Sequence, residues 1–285
     1  MIAIADSGAT KTSWLFIDNA GNAFTYKSLG INPYYLSAEG IVTHLTAELL
    51  PQFTFSDTIH RVYFYGAGCE QEEKKQQVAG ALKKVFSEAK IEVQHDLLAA
   101  CRAVAGDNKG IVCIAGTGAN SCEYDGVKVT NNIQSLGLFL GDEGSGGYMG
   151  KALLRDYTRN NMPAHIQAKF EARYTDKTSD ILDKVYTKPF PSRYLASFVP
   201  FITENIDEKY IYDLVYKCFE DQFDNTICKY PNYQNQEISF VGSVAYFLRD
   251  VLEKVAKAKG AKISKVIRNP LEGLAEYHVL KGLMD

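Results

Sequence analysis

Residues 4–12 read IADSGATKT, and residues 114–122 read IAGTGANSC. Each stretch runs a short apolar strand into a turn of glycine, alanine and hydroxyl-bearing residues. In alignment, Ile4, Ala5, Gly8 and Ala9 fall on Ile114, Ala115, Gly118 and Ala119, while Ser7 falls on Thr117 and Thr10 is replaced by Asn120. Asp, Ser and Gly are common in any turn, so either stretch alone is compatible with an ordinary hairpin. Two ordinary hairpins have no reason to match over so many positions, and the repeat therefore reads as one ligand-binding device written twice.

The surroundings repeat as well. IAIAD, TSWLFID and AFTYKSLG, separated by SGA and NAGN, predict an antiparallel meander. IVCIAG, NSCEYDG and VKVTNNI, turning at Asp125–Gly126, predict a second one. AEGIVTHLTAELL reads as a helix, RVYFYGAG as a strand, and EQEEKKQQVAGALKKVF as a helix burying Val78, Leu82, Val85 and Phe86. The strand IEVQHD then leads into the helix LLAACRAVAG. From about residue 144 to 231 the chain turns helical. Its clearest helix, KYIYDLVYKCFEDQFDNTICKY, carries Ile211, Val215, Cys218, Phe219, Phe223 and Ile227 on one stripe. A strand EISFVG, a helix with Val244, Leu248, Val251, Leu252 and Val255, a strand ISKVI and a helix after Asn269–Pro270 follow. The expectation is an α/β protein of two similar tandem halves, 1–108 and 109–269, with the closing helix at about 270–285 packing back on the first. Ligands would sit at the carboxyl ends of the strands, in a cleft shared by the halves.

Composition narrows the function. The 285 residues carry a net charge of −3 with 46% apolar and 23% charged side chains, typical of a globular chain. There is no basic footprint for nucleic acid. Six scattered cysteines include no C-x-x-C pair, which speaks against metal fingers and disulfide staples. MIAIADSG lacks a basic leader and no apolar run has the length of a membrane span, so no membrane partner and a cytoplasmic location are expected.

Chemistry concentrates in five stretches. In DSGATKT, Gly8 lets backbone N–H groups approach an anion, Thr10 and Thr12 offer hydroxyls, Lys11 a positive charge, and Asp6 can hold a divalent cation through water. The spacing is not that of a Walker A loop, and a strand follows rather than a helix. GTG at Gly116, Thr117 and Gly118 has the same character. Asp96, closing IEVQHD, reads as the N-cap of the next helix or as a general base at a strand end, two compatible roles. GLFLGDEGSGGYMGKALL packs glycines around Asp142 and Glu143, which lets the backbone approach a ligand and leaves the acids exposed for hydrogen bonding. FVGSVA places Gly242 and Ser243 at a strand-to-helix turn able to admit a nucleoside. Among the histidines, His95 beside Asp96 is the one of interest, in a supporting role.

In this order, DSGATKT, HDLLAA, IAGTGAN, GDEGSG and FVGSVA resemble the sugar-kinase branch of the actin-like ATPase superfamily, nearest the N-acetylglucosamine kinases and their BadF/BadG/BcrA/BcrD-type relatives. The resemblance extends from the first strand to NPLEGLAEY. It implies two ribonuclease-H-like domains with ATP and acceptor in the cleft between them, Mg²⁺ as the ion, and a fold compatible with a homodimer. It further implies that Asp6, Gly8, Thr10 and Lys11 form the phosphate hairpin, partnered by Gly116, Thr117 and Gly118. By the same likeness Asp96 is the base that deprotonates a sugar hydroxyl. Asn32, Asn120, Leu136, Gly137 and Asp142 lie where the sugar is held, and Gly242 and Ser243 in the adenosine pocket. Ser7 and Ala9 stand where many relatives have glycine, which should stiffen the first hairpin. Leu136–Gly137–Leu138–Phe139 replaces a tryptophan-and-histidine stretch of some relatives, and the cysteine cluster of ROK-type kinases is missing, so no structural zinc is expected.

The reaction implied is transfer of the ATP γ-phosphoryl group to a sugar hydroxyl, the 6-hydroxyl of an amino sugar. Two rivals share the hairpins: an ATP-driven activator of radical dehydratases, which needs exposed cysteines for an iron–sulfur cluster (Cys69 being the one candidate), and a non-enzymatic actin-like module.

Overall fold

The computed structural model describes residues 1–8 and 11–282, which separate into two compact units, Met1–Gly106 with the segment from Pro270, and Asp107–Asn269. In the first unit, β1 (Ile2–Ser7), β2 (Lys11–Ile17) and β3 (Ala23–Leu29) form the expected meander. Then come α1 (Ala38–His44), β4 (Arg61–Gly66), α2 (Glu72–Val85), β5 (Lys90–His95) and α3 (Asp96–Ala105). The sheet order is β3-β2-β1-β4-β5, with β4 and β5 parallel to β1. A parallel neighbour on each side of β4 brings the carboxyl ends of β1, β4 and β5 to one edge. Trp14, Phe16, Phe64 and Phe86 fill the core, and the Trp14 indole N–H donates to Ser28 Oγ at 3.1 Å. That pairing lets a large polar-tipped ring be buried without leaving its donor unpaired.

The helix expected over AEGIVTHLTAELL is regular only as far as His44. Leu45–Leu49 widens into a π-helical turn, and Leu50–Gln52 tightens into a 3₁₀ turn. Pro51, which has no N–H to give the preceding turn, ends it.

The second unit restarts the pattern with β6 (Gly110–Ala115), β7 (Ala119–Tyr124) and β8 (Val129–Asn131). The short helix α4 (Gly137–Leu140) precedes α5 (Gly146–Thr158). Helices α6 (Ala164–Arg173), α7 (Thr178–Tyr186), α8 (Pro191–Ala196), α9 (Val199–Glu204) and α10 (Lys209–Asn225) build the helical region. The chain closes the sheet with β9 (Ile238–Val241), α11 (Ser243–Phe247), α12 (Arg249–Ala258) and β10 (Ile263–Ile267), in the order β10-β9-β6-β7-β8. All six stripe residues expected on α10 are buried, although the helix ends at Asn225 and Ile227 sits on a following 3₁₀ turn. The helix expected after EISFVG is two, broken at Leu248, with its buried stripe continuing across the break.

The last helix, α13 (Leu271–Gly282), returns to the first unit and packs on α3 and β1. Tyr65 Oη lies 2.8 Å from His278 Nε2 and accepts a hydrogen bond from Arg102 at 2.7 Å, which joins β4, α3 and α13. Among the described residues no helix is long and apolar enough to cross a membrane.

Candidate functional site

Parallel pairing sets Ser7 beside Gly66 and Gly66 beside His95, one row across three strand ends. Asp6 precedes the first member of this row and Asp96 follows the last. Two inter-strand steps separate the outer strands, about 10 Å. Burial, reinforced by the Asp96 charge and partly offset by Lys11, pushes the Asp6 carboxyl up to about 7. Burial likewise raises Asp96, against the lowering effect of backbone N–H groups and with Glu70 adding to the rise. Two acids that destabilise each other's charge are an arrangement suited to a bound cation or to proton transfer.

The N-cap of α3 is His95, not Asp96. His95 Nδ1 accepts the Leu98 N–H at 3.2 Å, and Asp96 is the first helical residue, with Oδ1 accepting from Leu97 N–H at 2.9 Å. An accepting Nδ1 requires a neutral ring, and burial together with Lys75 holds the His95 pKa below its usual value. Histidine is not among the favoured caps, which is why sequence pointed to the aspartate.

The first hairpin is anchored from inside. Ser7 Oγ accepts from Ile31 N–H at 2.9 Å and lies 2.8 Å from Thr12 Oγ1, which donates to Leu29 O at 3.0 Å. Thr12, expected to offer its hydroxyl to phosphate, is fully buried with that hydroxyl engaged by protein. Gly8 and Lys11 are exposed and joined by Gly8 N–H to Lys11 O at 3.0 Å. Thr10 and Ala9 lie outside the described residues. Asn32 accepts from Tyr34 N–H through Oδ1 at 2.9 Å, so its side chain offers a ligand amide donors.

In the second unit, Gly116 N–H donates across its turn to Gly118 O at 3.0 Å. Gly8 and Gly116 are thus the corresponding first residues after their strands, so the sequence pairing of Gly8 with Gly118 is corrected. Gly116 O and Thr117 O accept from Gly146 and Gly147 N–H at 2.8 and 3.0 Å, and Ser145 Oγ caps α5 by accepting from Tyr148 N–H at 3.0 Å. The turn is therefore fixed to the start of α5, with Thr117 exposed at its tip.

The GDEGSGG stretch differs from expectation. Asp142 is 8% exposed rather than solvated, holds φ at 58°, and its Oδ1 accepts from Ala119 N–H at 3.2 Å. Burial raises its pKa. A Cβ on Gly118 would come within 3.3 Å of Asp142 Oδ2, so the turn and the acid pack backbone to side chain. Of the apolar residues just before it, Leu138 is buried while Leu136, Phe139 and Leu140 are exposed at 62%, 67% and 77%. Asn120 Oδ1 accepts from Ser121 N–H and Asn132 Nδ2, both at 2.9 Å, which again leaves amide donors for a ligand. Sequence reading passed over Gln222, which is 2% exposed, has no hydrogen-bond partner at Oε1 among the described residues, and lines a recess of about 10 Å³ with Asn120 and Asp142. That is room for one water.

At the same carboxyl edge of the sheet, where β9 runs parallel to β6, Gly242 has φ 136°, and a Cβ there would stand 2.1 Å from Ala115 O. Only glycine fits between β6 and α11 at this point. Ser243 is exposed, followed by half-exposed Tyr246 and Phe247, with the Arg268 guanidinium 5.0 Å from the Phe247 ring centre. The aromatic pair after a glycine–serine turn was the one available signal for these residues.

For a magnesium ion the fit is that of a single carboxylate. Among the described residues no three His, Cys, Asp or Glu side chains cluster as a metal cage. Mg²⁺ commonly keeps most of its waters and takes one or two carboxylates with substrate phosphates, which Asp6 can satisfy. Cys69, the expected exposed cysteine, is buried and burial pushes its thiol up to about 12. A neutral buried thiol is a poor cluster ligand.

A family model of BadF/BadG/BcrA/BcrD ATPases matches residues 5–267. The structure of a Porphyromonas gingivalis protein described as a "putative N-acetylglucosamine kinase" is 39% identical, with 98% of each chain covered and a TM-score of 0.93. A Chromobacterium violaceum protein of the same description gives 15% identity over 97% of this chain and 98% of that one, with a TM-score of 0.63. A ROK family glucokinase from Streptomyces griseus, solved with glucose and AMPPNP, gives 15% identity over 98% of each chain and 0.56. The last two show the fold alone. No curated protein sequence matches.

Proposed function

The chain belongs to the BadF/BadG/BcrA/BcrD ATPase family, and on that premise we propose that it transfers the γ-phosphoryl group of ATP to the 6-hydroxyl of N-acetylglucosamine or a related amino sugar. The observation that carries the reading is the pair Asp6 and Asp96 at one sheet edge, each with its pKa raised by burial. A carboxyl raised above its ordinary value, as Asp96 is, moves toward the working pH that a general base requires.

Asp96 takes the proton of the attacking hydroxyl, and its fixed bond to Leu97 N–H aims the carboxylate. Asn32 and Asn120, with their acceptor oxygens engaged by protein, donate to sugar hydroxyls; Leu136, Gly137 and Asp142 complete the acceptor contacts. Gly8, Lys11, Gly116, Thr117 and Gly118 neutralise and orient the phosphates, and Gly242 and Ser243 receive the nucleoside. Mg²⁺, when bound, would supply charge neutralisation at the phosphates, and Asp6 would hold it. Positioning and charge carry such transfers, since the phosphoryl group needs little covalent help from protein.

The test is ADP release from ATP and Mg²⁺ with N-acetylglucosamine, N-acetylmuramic acid, glucosamine or glucose, against a blank without sugar. Strong stimulation by one amino sugar supports the reading and names the acceptor. Turnover that no sugar changes overturns it.

A further inference from the structure

Helices α5 and α10 part to leave a groove of about 600 Å³ in the second unit, within the size range of small-molecule sites. Two phenols bridge it. Tyr148 Oη on α5 donates to Asp221 on α10, and Tyr210 Oη on α10 donates to Asp156 on α5, each at 3.0 Å. These rungs hold the helices apart at two levels, about two turns distant along α5 and about three along α10.

Between the rungs the walls carry Lys151, Arg155 and Lys217 over a floor of Ala152, Leu214 and Cys218. Arg155 meets Asp156 only through Nε, at 3.4 Å, which leaves the forked end of its guanidinium outside that pair. Lys217 pairs with Asp221 and Glu220 at the rim. Lys151 makes no ion pair among the described residues: its ammonium donates to Leu138 O at 2.8 Å and lies 4.9 Å from the Tyr148 ring centre. Burial lowers its pKa, the mark of an ammonium short of solvation. Asp213 adds a carboxylate to the wall, able to accept from hydroxyls.

We propose that this groove binds a small phosphate monoester bearing hydroxyl groups, its phosphate taken by Lys151, Arg155 and Lys217 and its hydroxyls by the wall carboxylates. The three acids on the walls set a bare anion at a disadvantage, so the hydroxyls are part of the recognition. The groove also reaches the candidate acceptor loop. Leu138, whose carbonyl Lys151 holds, lies in α4 between Leu136 and Asp142, and a phosphate on Lys151 competes for that ammonium. Binding in the groove and at the loop are then coupled, and equally so in both directions.

Titration calorimetry on the full chain without ATP tests the site with N-acetylglucosamine 6-phosphate, inorganic phosphate and uncharged N-acetylglucosamine. The ester is expected to bind, and Arg155→Ala and Lys217→Ala each to weaken it about tenfold, the scale of one charge-assisted hydrogen bond. Both side chains are largely exposed, and Ala152→Phe, which fills the groove while keeping every charge, should abolish binding. No ester binding up to about 10 mM overturns the proposal, as does equal affinity in all three variants, which would put the ester elsewhere on the chain. Inorganic phosphate binding as tightly as the ester overturns the recognition of hydroxyls. Because no turnover is read, a failed kinase assay leaves this result standing.

Discussion

His95 caps α3 through Nδ1 and thereby relieves the neighbouring Asp96 of that duty, at 3.2 Å from the Leu98 N–H. A carboxylate used as the cap would lie folded over the first turn. As the first helical residue, Asp96 is tied by Oδ1 to Leu97 and stands at the same strand edge as Asp6, close enough for its charge to raise that carboxyl's pKa.

From this arrangement Asp96→Asn should keep nucleotide binding and lower sugar phosphorylation by about 10²–10⁴-fold, the usual range for a lost general base. Steady-state kcat and binding of a fluorescent ATP analogue check it together. Turnover like that of the unsubstituted chain would remove Asp96 from the reaction.

Asp6 makes stability depend on pH. Its carboxyl rises from 3.8 to about 7 on folding, chiefly by burial. The folded chain therefore binds more protons than the unfolded one between these values, and this contribution to stability is present at acid pH and lost as pH rises through the window. Asp6→Asn should raise the metal-free Tm at pH 8, by an amount corresponding to about 2–4 kcal/mol, with the gain fading as pH falls below about 7 and gone below about pH 4. Addition of Mg²⁺ should stabilise the unsubstituted chain and not the variant. Equal Mg²⁺ shifts in both would take the ion away from Asp6.

Thr12→Val removes a buried hydroxyl that serves Leu29 O and Ser7 Oγ. Denaturation should show a loss of about 1–3 kcal/mol, while KM for ATP stays within about twofold, well under the 1.4 kcal/mol that marks a tenfold change. A large rise in KM with unchanged stability would return this hydroxyl to the phosphate.

Gly242→Ala places a Cβ 2.1 Å from Ala115 O at a φ of 136°. The strained backbone and the overpacking each cost about 1–3 kcal/mol, so the variant should unfold at markedly lower denaturant and bind nucleotide poorly. Unchanged stability would mean that β6 and α11 yield at this point.

Strands and hairpins were legible because alternation and turn residues are local signals, and both meanders follow them. The α10 stripe was legible for the same reason. The burial of Asp142 was not, because the residues that cover it, Ala119 and Ser135, reach it through tertiary packing. Nor was the exposure of Phe139 and Leu140, since apolar composition normally argues for the interior. The hairpins themselves matched by composition two residues out of their structural register, because the turn after β1 begins at Gly8 and the turn after β6 at Gly116, and where a strand ends is set by its pairing rather than by its composition. Among the residues expected to hold ligand, Asp6, Gly8, Lys11, Asn32 and Asp96 lie in one unit and Gly116, Thr117, Gly118, Asn120, Leu136, Gly137, Asp142, Gly242 and Ser243 in the other.

The bonds from Gly146 and Gly147 N–H to Gly116 O and Thr117 O have an electrical consequence. Each of these carbonyls belongs to a peptide unit whose other end is the N–H of Thr117 or Gly118. Drawing electron density toward the carbonyl leaves that N–H more positive, so the turn acts as a conductor that carries the positive end of α5 outward by one peptide. The helix thus strengthens donors it does not itself contain, and replacing the Thr117 or Gly118 peptide N–H by an ester oxygen would cut that relay while leaving every side chain in place.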